Sequence, residues 1–302
     1  MKGPWMDHTL YAYSALPDRS AAIGNGTLHA FAVVMLEHWE LCAPGDALRD
    51  PRMVGEFGSF SPDYRSWSQR EYGLRIGIFR VLDALQSAGI QPVIAANAMA
   101  VQRLPSLVQR LQDAGCTWIA HGMAATRMMH AGMSEDAQAQ TIAQSIAALT
   151  QATGTTPLGW LSQDWGTTPD TYRLLARAGM RYTLDWCNDD QPYWLRTDPP
   201  LLAIPLSSEW DDVQCQWLRQ VEPRAHAALA LAAFQRLRSE CAQHRRDAVF
   251  GLPIHPWLSG MPSRIQALRD LLTQLRQCTD VAWTTPDKLF TDTVRDQTHA
   301  LS

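Results

Sequence analysis

Short apolar runs that end in a polar residue recur along this chain, separated by stretches of helical spacing, and that repetition restricts the fold more than any other feature. Phe31–Leu36 ends at Glu37-His38-Trp39, Ile90–Ala96 at Asn97, and Thr117–Ala120 at His121-Gly122. Arg181–Leu184 ends at Asp185-Trp186, and Ala248–Ile254 at His255-Pro256-Trp257. Pro157–Leu161, Leu201–Pro205 and Val281–Thr284 are further short apolar runs. Strands of this wholly apolar kind are buried on both faces. The spacing between them predicts helices over Ser68–Ser87, Pro105–Ala114, a segment capped by Ser134 and stopped at Gly154, a segment from Thr168-Pro169 to Gly179, Glu222–His244, Pro262–Gln277 and Pro286–Val294. Strand and helix in alternation predict a parallel sheet. With seven or eight such units and no break in composition, a closed (β/α) barrel is expected rather than an open sheet. One domain over residues 1–302 is expected, with 1–30 irregular.

Composition removes several classes of function. The net charge is -4 and charged residues make up 19% of the chain. No run of Lys or Arg is long enough for a nucleic-acid groove or an anionic membrane surface. No apolar run nears the roughly 18 residues of a spanning helix. The start, Met1-Lys2-Gly3-Pro4-Trp5-Met6-Asp7-His8, lacks an apolar signal core, so a cytoplasmic enzyme is expected. None of the six cysteines forms a Cys-x-x-Cys pair, and reduced, buried thiols are expected.

Polar residues at the C-terminal ends of barrel strands converge on one face. The twelve tryptophans crowd the same places. Trp160 lies within one strand run, Trp39, Trp186 and Trp257 follow others, and Trp165, Trp194 and Trp210 lie just beyond. Two readings stand for these indoles, the walls of an aromatic cleft or plugs of the barrel top. The Pro-, Asp- and Gly-rich stretch 42–70 is long enough to cover the mouth of such a site.

The ordered motifs resemble the polysaccharide deacetylase superfamily, and within it a branch close to metal-independent, allantoinase-like proteins. The matching residues are Leu36-Glu37-His38, Tyr72-Gly73-x-Arg75-x-Gly77, Ala120-His121-Gly122, Met133-Ser134-Glu135 and Pro157-x-Gly159-Trp160. Further on come Asp185-Trp186-x-x-Asp189-Asp190-Gln191-Pro192, Ile204-Pro205 with Glu209, and Ile254-His255-Pro256. The resemblance implies an α/β, single-domain distorted (β/α) barrel of seven to eight parallel strands. It also implies hydrolysis of a carbon–nitrogen bond in an amide or cyclic amide.

Metal-dependent members of the superfamily use one carboxylate as base, and bind zinc or a similar ion with a second carboxylate and a His-x-x-x-His pair. Here Glu37 matches the base, His38 replaces the second carboxylate, and His121 matches the first histidine. Ala125 stands where the second should be. The resemblance thus implies no metal and no other cofactor, with zinc as the alternative. It makes Glu37 the group that orients or deprotonates water, His121 the carbonyl polariser and His255 the acid for the leaving nitrogen. Pleating places His38 on the face of its strand opposite Glu37.

Arg75, Trp160, Trp186, Asp189, Asp190 and Glu209 are candidate substrate contacts. Other readings stand beside them: a structural ion pair for Arg75, a turn for Asp189-Asp190, and a surface loop acid for Glu209. The expected partner is a small-molecule substrate, with no nucleic acid and no membrane, in a homo-oligomer. A zinc-dependent N-acetyl-sugar deacetylase and a catalytically inactive small-molecule-binding barrel are the competing expectations.

Overall fold

The computed structural model describes residues 9–16, 25–45, 47–48 and 62–300. The mouth-covering stretch expected over 42–70 therefore falls largely outside the described residues, as does most of the N-terminal segment. Nine strands form one curled sheet: β1 (Leu28–Leu36), β2 (Pro92–Ala96), β3 (Thr117–Ala120), β4 (Gly159–Trp160), β5 (Tyr182–Thr183), β6 (Tyr193–Leu195), β7 (Leu201–Ala203), β8 (Ala248–Ile254) and β9 (Val281–Trp283). Their order is β6-β7-β5-β4-β3-β2-β1-β8, with β9 pairing β1. Helices connect successive parallel strands and pack on the outside, so the chain is the expected single-domain (β/α) barrel type, as a curled, mostly parallel sheet.

Two details correct the sequence reading. The sheet has one strand more than expected, because Tyr193–Leu195 pairs antiparallel with β7. A three-residue edge strand carries too short a pattern to stand out from a loop. The first strand starts at Leu28, inside the segment expected to be irregular. Asp247 accepts the backbone N–H groups of Asn25, Gly26 and Thr27 and so fixes where β1 begins beside β8.

Alternation along β1 shows how both faces are buried. Ala30, Ala32, Val34 and Leu36 pack in the layer shared with the helices, among Leu74, Ile78 and Leu85. Phe31, Val33 and Met35 face the barrel interior with Val93, Ala95, Ile119, Tyr182, Leu202 and Val249. The lower interior is closed by the helix Pro286–Ala300, whose Leu289 joins that cluster and whose Asp287 accepts the Tyr182 hydroxyl at 2.7 Å. A barrel filled by side chains is a core rather than a channel.

The helix expected over Ser68–Ser87 begins earlier, at Tyr64, and contains a π-helical turn at Gly73–Gly77. The two glycines explain the Tyr72-Gly73-x-Arg75-x-Gly77 motif. A Cβ on Gly77 would lie 2.1 Å from the Pro256 carbonyl oxygen, and one on Gly73 would lie 2.6 Å from the Trp257 nitrogen. Backbone-to-backbone contact here seats the short helix Pro256–Ser259, which directly follows His255.

Ser134 caps the helix Glu135–Thr153 as expected, accepting the Ala137 N–H at 3.2 Å. All six thiols are free. Only Cys215 and Cys241 are fully buried, whereas Cys42 and Cys187 are exposed, because both sit in loops beyond strand ends. Among the described residues no helix is long and apolar enough to cross a membrane.

Candidate active site

The alternation that fills the barrel interior also builds the site. Residues 31, 33 and 35 of β1 face inward, so Glu37 continues that face beyond the strand. Residues 93 and 95 lead in the same way to Asn97, residue 119 to His121, and residue 249 to His255. Leu36 is paired with Ala96 and Ala96 with Ala120, so Glu37, Asn97 and His121 leave the sheet on one rung. All four polar residues are buried.

Glu37 is the hub. Its Oε1 lies 3.7 Å from His121 Nε2 and 4.0 Å from His255 Nε2. Gln163 donates its amide to the same oxygen at 2.6 Å, and Trp39 donates its indole N–H to Oε2 at 3.4 Å. Asn97 holds Gln163 in place by donating to its carbonyl oxygen at 3.2 Å. Burial by itself would raise the Glu37 carboxyl. The His121 contact, the positive field of His255 and the Gln163 amide outweigh it and hold the group at about 2, so Glu37 is a carboxylate at neutral pH.

The two histidines are oriented differently. His121 Nδ1–H donates to the Leu161 carbonyl at 2.7 Å, which leaves Nε2 without a hydrogen-bond partner on the Glu37 side. His255 Nδ1–H donates to Asp212 Oδ1 at 2.6 Å, and its backbone N–H donates to the other oxygen of Asp212 at 2.9 Å. Ser259 donates a further bond to Asp212. Asp211 lies 3.6 Å from the same Nδ1. Burial would lower the His255 pKa, but the Asp212 and Asp211 carboxylates and the bond to Asp212 raise it to about 10. His255 is therefore an imidazolium, and its Nε2–H lies on the Glu37 side. Burial, with Asp212 alongside, pushes the Asp211 carboxyl up in turn.

His38 takes the other face of β1. Its electrostatic neighbours are Arg103, Glu71, Glu40 and Arg127, none of which surrounds Glu37, and burial pushes its pKa down. The Ala125 N–H donates to the His38 carbonyl at 2.9 Å, so the chain brings positions 38 and 125 together. A methyl group at 125 offers no donor, however, and a neutral His38 turned outward leaves His121 alone. The donor set His38, His121 and Ala125 does not fit a divalent ion. Among the described residues one group of three potential ligands does gather, Asp211, Asp212 and His255, with ligand atoms within 4.8 Å of one another. Asp212 already spends both oxygens on His255 and Ser259.

The expected substrate contacts do not converge on Glu37 in the same way. Trp160 is fully buried in the layer facing the helices, because the inward-facing residue here is its neighbour Leu161, just past β4. The Trp160 indole donates to Ser162, whose hydroxyl and N–H in turn hold Asp185, so Trp160 supports the site from behind. Trp186 packs edge-on against Tyr11 and Tyr193 and tilted against Tyr172, with ring centroids 5.2–6.5 Å apart. Arg75 is exposed on the π-helical turn.

Asp189 and Asp190 form the turn, with Asp189 accepting the N–H groups of Asp190 and Gln191. The Asp190 carbonyl accepts Val249 N–H, at the opposite end of β8 from His255. Six extended residues place that turn roughly 20 Å along the strand from the histidine. Glu209 is an exposed loop acid paired with Arg219 at 3.2 Å.

Four residues that the motif reading did not single out complete the site: Arg70, Gln163, Asp211 and Asp212. Gln163 follows the end of β4 and fits the strand-then-polar rule. The acid pair lies eight residues past β7, in the loop 206–221, where no periodic signal marks it. Arg70 stands three residues before Gly73 on a helix, away from every strand end.

The strand ends thus deliver one anionic carboxylate and two imidazoles to a common point. The family model described as polysaccharide deacetylase matches residues 73–183. A Schizosaccharomyces pombe protein named as a candidate polysaccharide deacetylase is 24% identical over 163 residues, which are 48% of this chain and 49% of that protein. The chain thus matches about half the length of that curated relative. The crystal structure of PuuE allantoinase is similar with a TM-score of 0.77 and 24% identity, covering 90% of this chain and 92% of that one. A candidate polysaccharide deacetylase from Mycobacterium smegmatis gives 0.75 and 23%, covering 91% and 92%. At these identities the structural likenesses show the shared fold.

Proposed function

We propose that this protein hydrolyses a carbon–nitrogen bond, in an amide or cyclic amide of a small polar substrate, without a metal. The observation that carries this reading is the position of Glu37 Oε1 within 4.0 Å of both Nε2 atoms. The family match and the allantoinase neighbour support the reaction class. Glu37 holds a water and takes its proton as the oxygen attacks the carbonyl carbon. The His255 imidazolium, fixed by Asp212, gives its Nε2 proton to the nitrogen as the C–N bond breaks. His121 contributes when its Nε2 is protonated. Nδ1 stays on the Leu161 carbonyl and Nε2–H donates to the developing oxyanion, the work a metal does in other deacetylases.

The test is a panel of linear and cyclic amides assayed with a chelator present, using the wild type and the Glu37→Gln, His121→Ala and His255→Ala variants. Turnover by the wild type that each substitution removes is the expected result. Saturable binding with no turnover of any member would make the chain an inactive binding barrel. Activity lost to the chelator and restored by zinc would favour an ion at Asp211, Asp212 and His255.

A further inference from the structure

Among the described residues Arg70 is a buried cation with no ion-pair partner. Its side chain is 5% exposed, and neither Nε nor Nη1 has a hydrogen-bond partner. The guanidinium carbon sits 3.3 Å from the centroid of Trp257, 4.7 Å from that of Trp39 and 5.1 Å from that of Trp217. Burial draws the pKa of the group down to about 10, and the acids that oppose this, Glu37, Asp164 and Asp63, act only through their fields. Cation–π contact offsets part of the desolvation of a guanidinium. It does nothing for N–H groups in the plane of the ion, and unsatisfied buried donors of a charged group are costly. A ligand that supplies acceptors would offset that cost.

The surroundings place Arg70 beside the hub. Trp39 bridges Arg70 and the hub, since its indole N–H donates to Glu37 Oε2. The Trp257 ring lies under Arg70 on one side and edge-on to the His255 ring, 6.4 Å away, on another. Arg70 is thus one indole from the carboxylate and one indole from the imidazolium. Three aromatic rings crowd the ion, and its free donors Nε and Nη1 are enclosed with it. A guanidinium edge matches a planar carboxylate with two parallel N–H···O bonds.

We infer that Arg70 is the receptor for a carboxylate on the substrate, held one ring's width from the scissile amide. The inference rests on the hydrolase reading above and narrows it: the substrate class is an N-acyl or N-carbamoyl amino acid, or a related small amide acid, rather than a neutral sugar. Arg70 selects the charged end of such a molecule.

The test uses the full chain and a matched pair of probes, N-carbamoylglycine and its primary amide, titrated against intrinsic tryptophan fluorescence. Trp39, Trp217 and Trp257 report occupancy directly. The wild type is expected to bind the acid at least about tenfold more tightly than the amide, the share of one charge-assisted pair. Arg70→Gln should abolish the difference, and Arg70→Lys should keep part of it. The comparison of the two probes on wild-type protein needs no variant, so a folding defect in Arg70→Gln leaves the test intact.

Equal binding of acid and amide, or no saturable binding of the acid, overturns the inference. A preference for the acid that survives in a folded Arg70→Gln variant overturns it as well. If the preference is present and no amide in the panel is hydrolysed, the receptor stands and the hydrolase reading falls. If amides are hydrolysed with no preference for the acid, the reverse holds.

Discussion

His255 Nδ1 and Asp212 Oδ1 lie 2.6 Å apart, and the backbone N–H of His255 binds the second oxygen of the same carboxylate. Asp212 therefore fixes the ring, its tautomer and its charge together. With its pKa raised to about 10, His255 is protonated across the neutral range. The sign follows: a raised histidine pKa contributes stability that is complete below about 6.5 and is lost as pH rises through 10. The expected kcat/KM profile falls on its alkaline side near pH 10. Asp212→Asn should move that limb down by at least one unit and lower the plateau. A limb that stays in place in Asp212→Asn would remove His255 as the proton donor.

Glu37 and Gln163 make a second separable pair. Glu37→Gln is expected to lower kcat by about 10²–10⁴-fold, the range for removing a general base. Gln163→Leu removes one of the donors that hold the Glu37 carboxyl near 2. It should shift the acid limb of the pH profile upward while leaving some activity. A Gln163→Leu variant with an unchanged acid limb would show that the amide only packs there.

Metal dependence is decided by dialysis. After exhaustive treatment with a chelator and elemental analysis, activity is expected to persist with substoichiometric metal. Ala125→His restores the missing donor of the pair at a position whose N–H already meets His38, and it should raise zinc affinity without being needed for turnover. Loss of wild-type activity on dialysis, with recovery on adding zinc, would overturn the metal-free mechanism.

The glycine motif and its arginine have opposite fates. Gly77→Ala drives a methyl group into the Pro256 carbonyl and should destabilise the fold by about 1–3 kcal/mol, as other overpacked contacts do. It should also lower activity by displacing the segment that carries His255. Arg75→Ala, on an exposed position, should change kcat/KM by less than about twofold. A large effect of Arg75→Ala on KM would return that residue to the binding site.

The inward-facing members of the site were readable because pleating is a local rule. Glu37, Asn97, His121 and His255 each extend the inward parity of a buried strand, and the same rule put His38 outside. The expected contacts stand apart from Glu37 where parity or distance was hidden. Trp160 ends a strand only two residues long and Leu161 follows it, too short a run to show which faces in. Asp189 and Asp190 follow β5 directly in sequence, yet the chain carries them to the start of β8.

Taken by itself, the sequence determined the alternating α/β fold, the rung of strand ends, and the absence of a donor side chain at Ala125. Each depends on local periodicity or on the identity of one residue. The tertiary structure decided which groups meet. Asp212 reaches His255 from 43 residues away, Gln163 reaches Glu37 across 126, and Arg70 is enclosed by Trp39, Trp217 and Trp257 from three separate segments. Neighbouring groups then set the charges against the cost of burial. His255 is held as an imidazolium chiefly by Asp212 and Asp211, and Glu37 as a carboxylate by His121, His255 and Gln163.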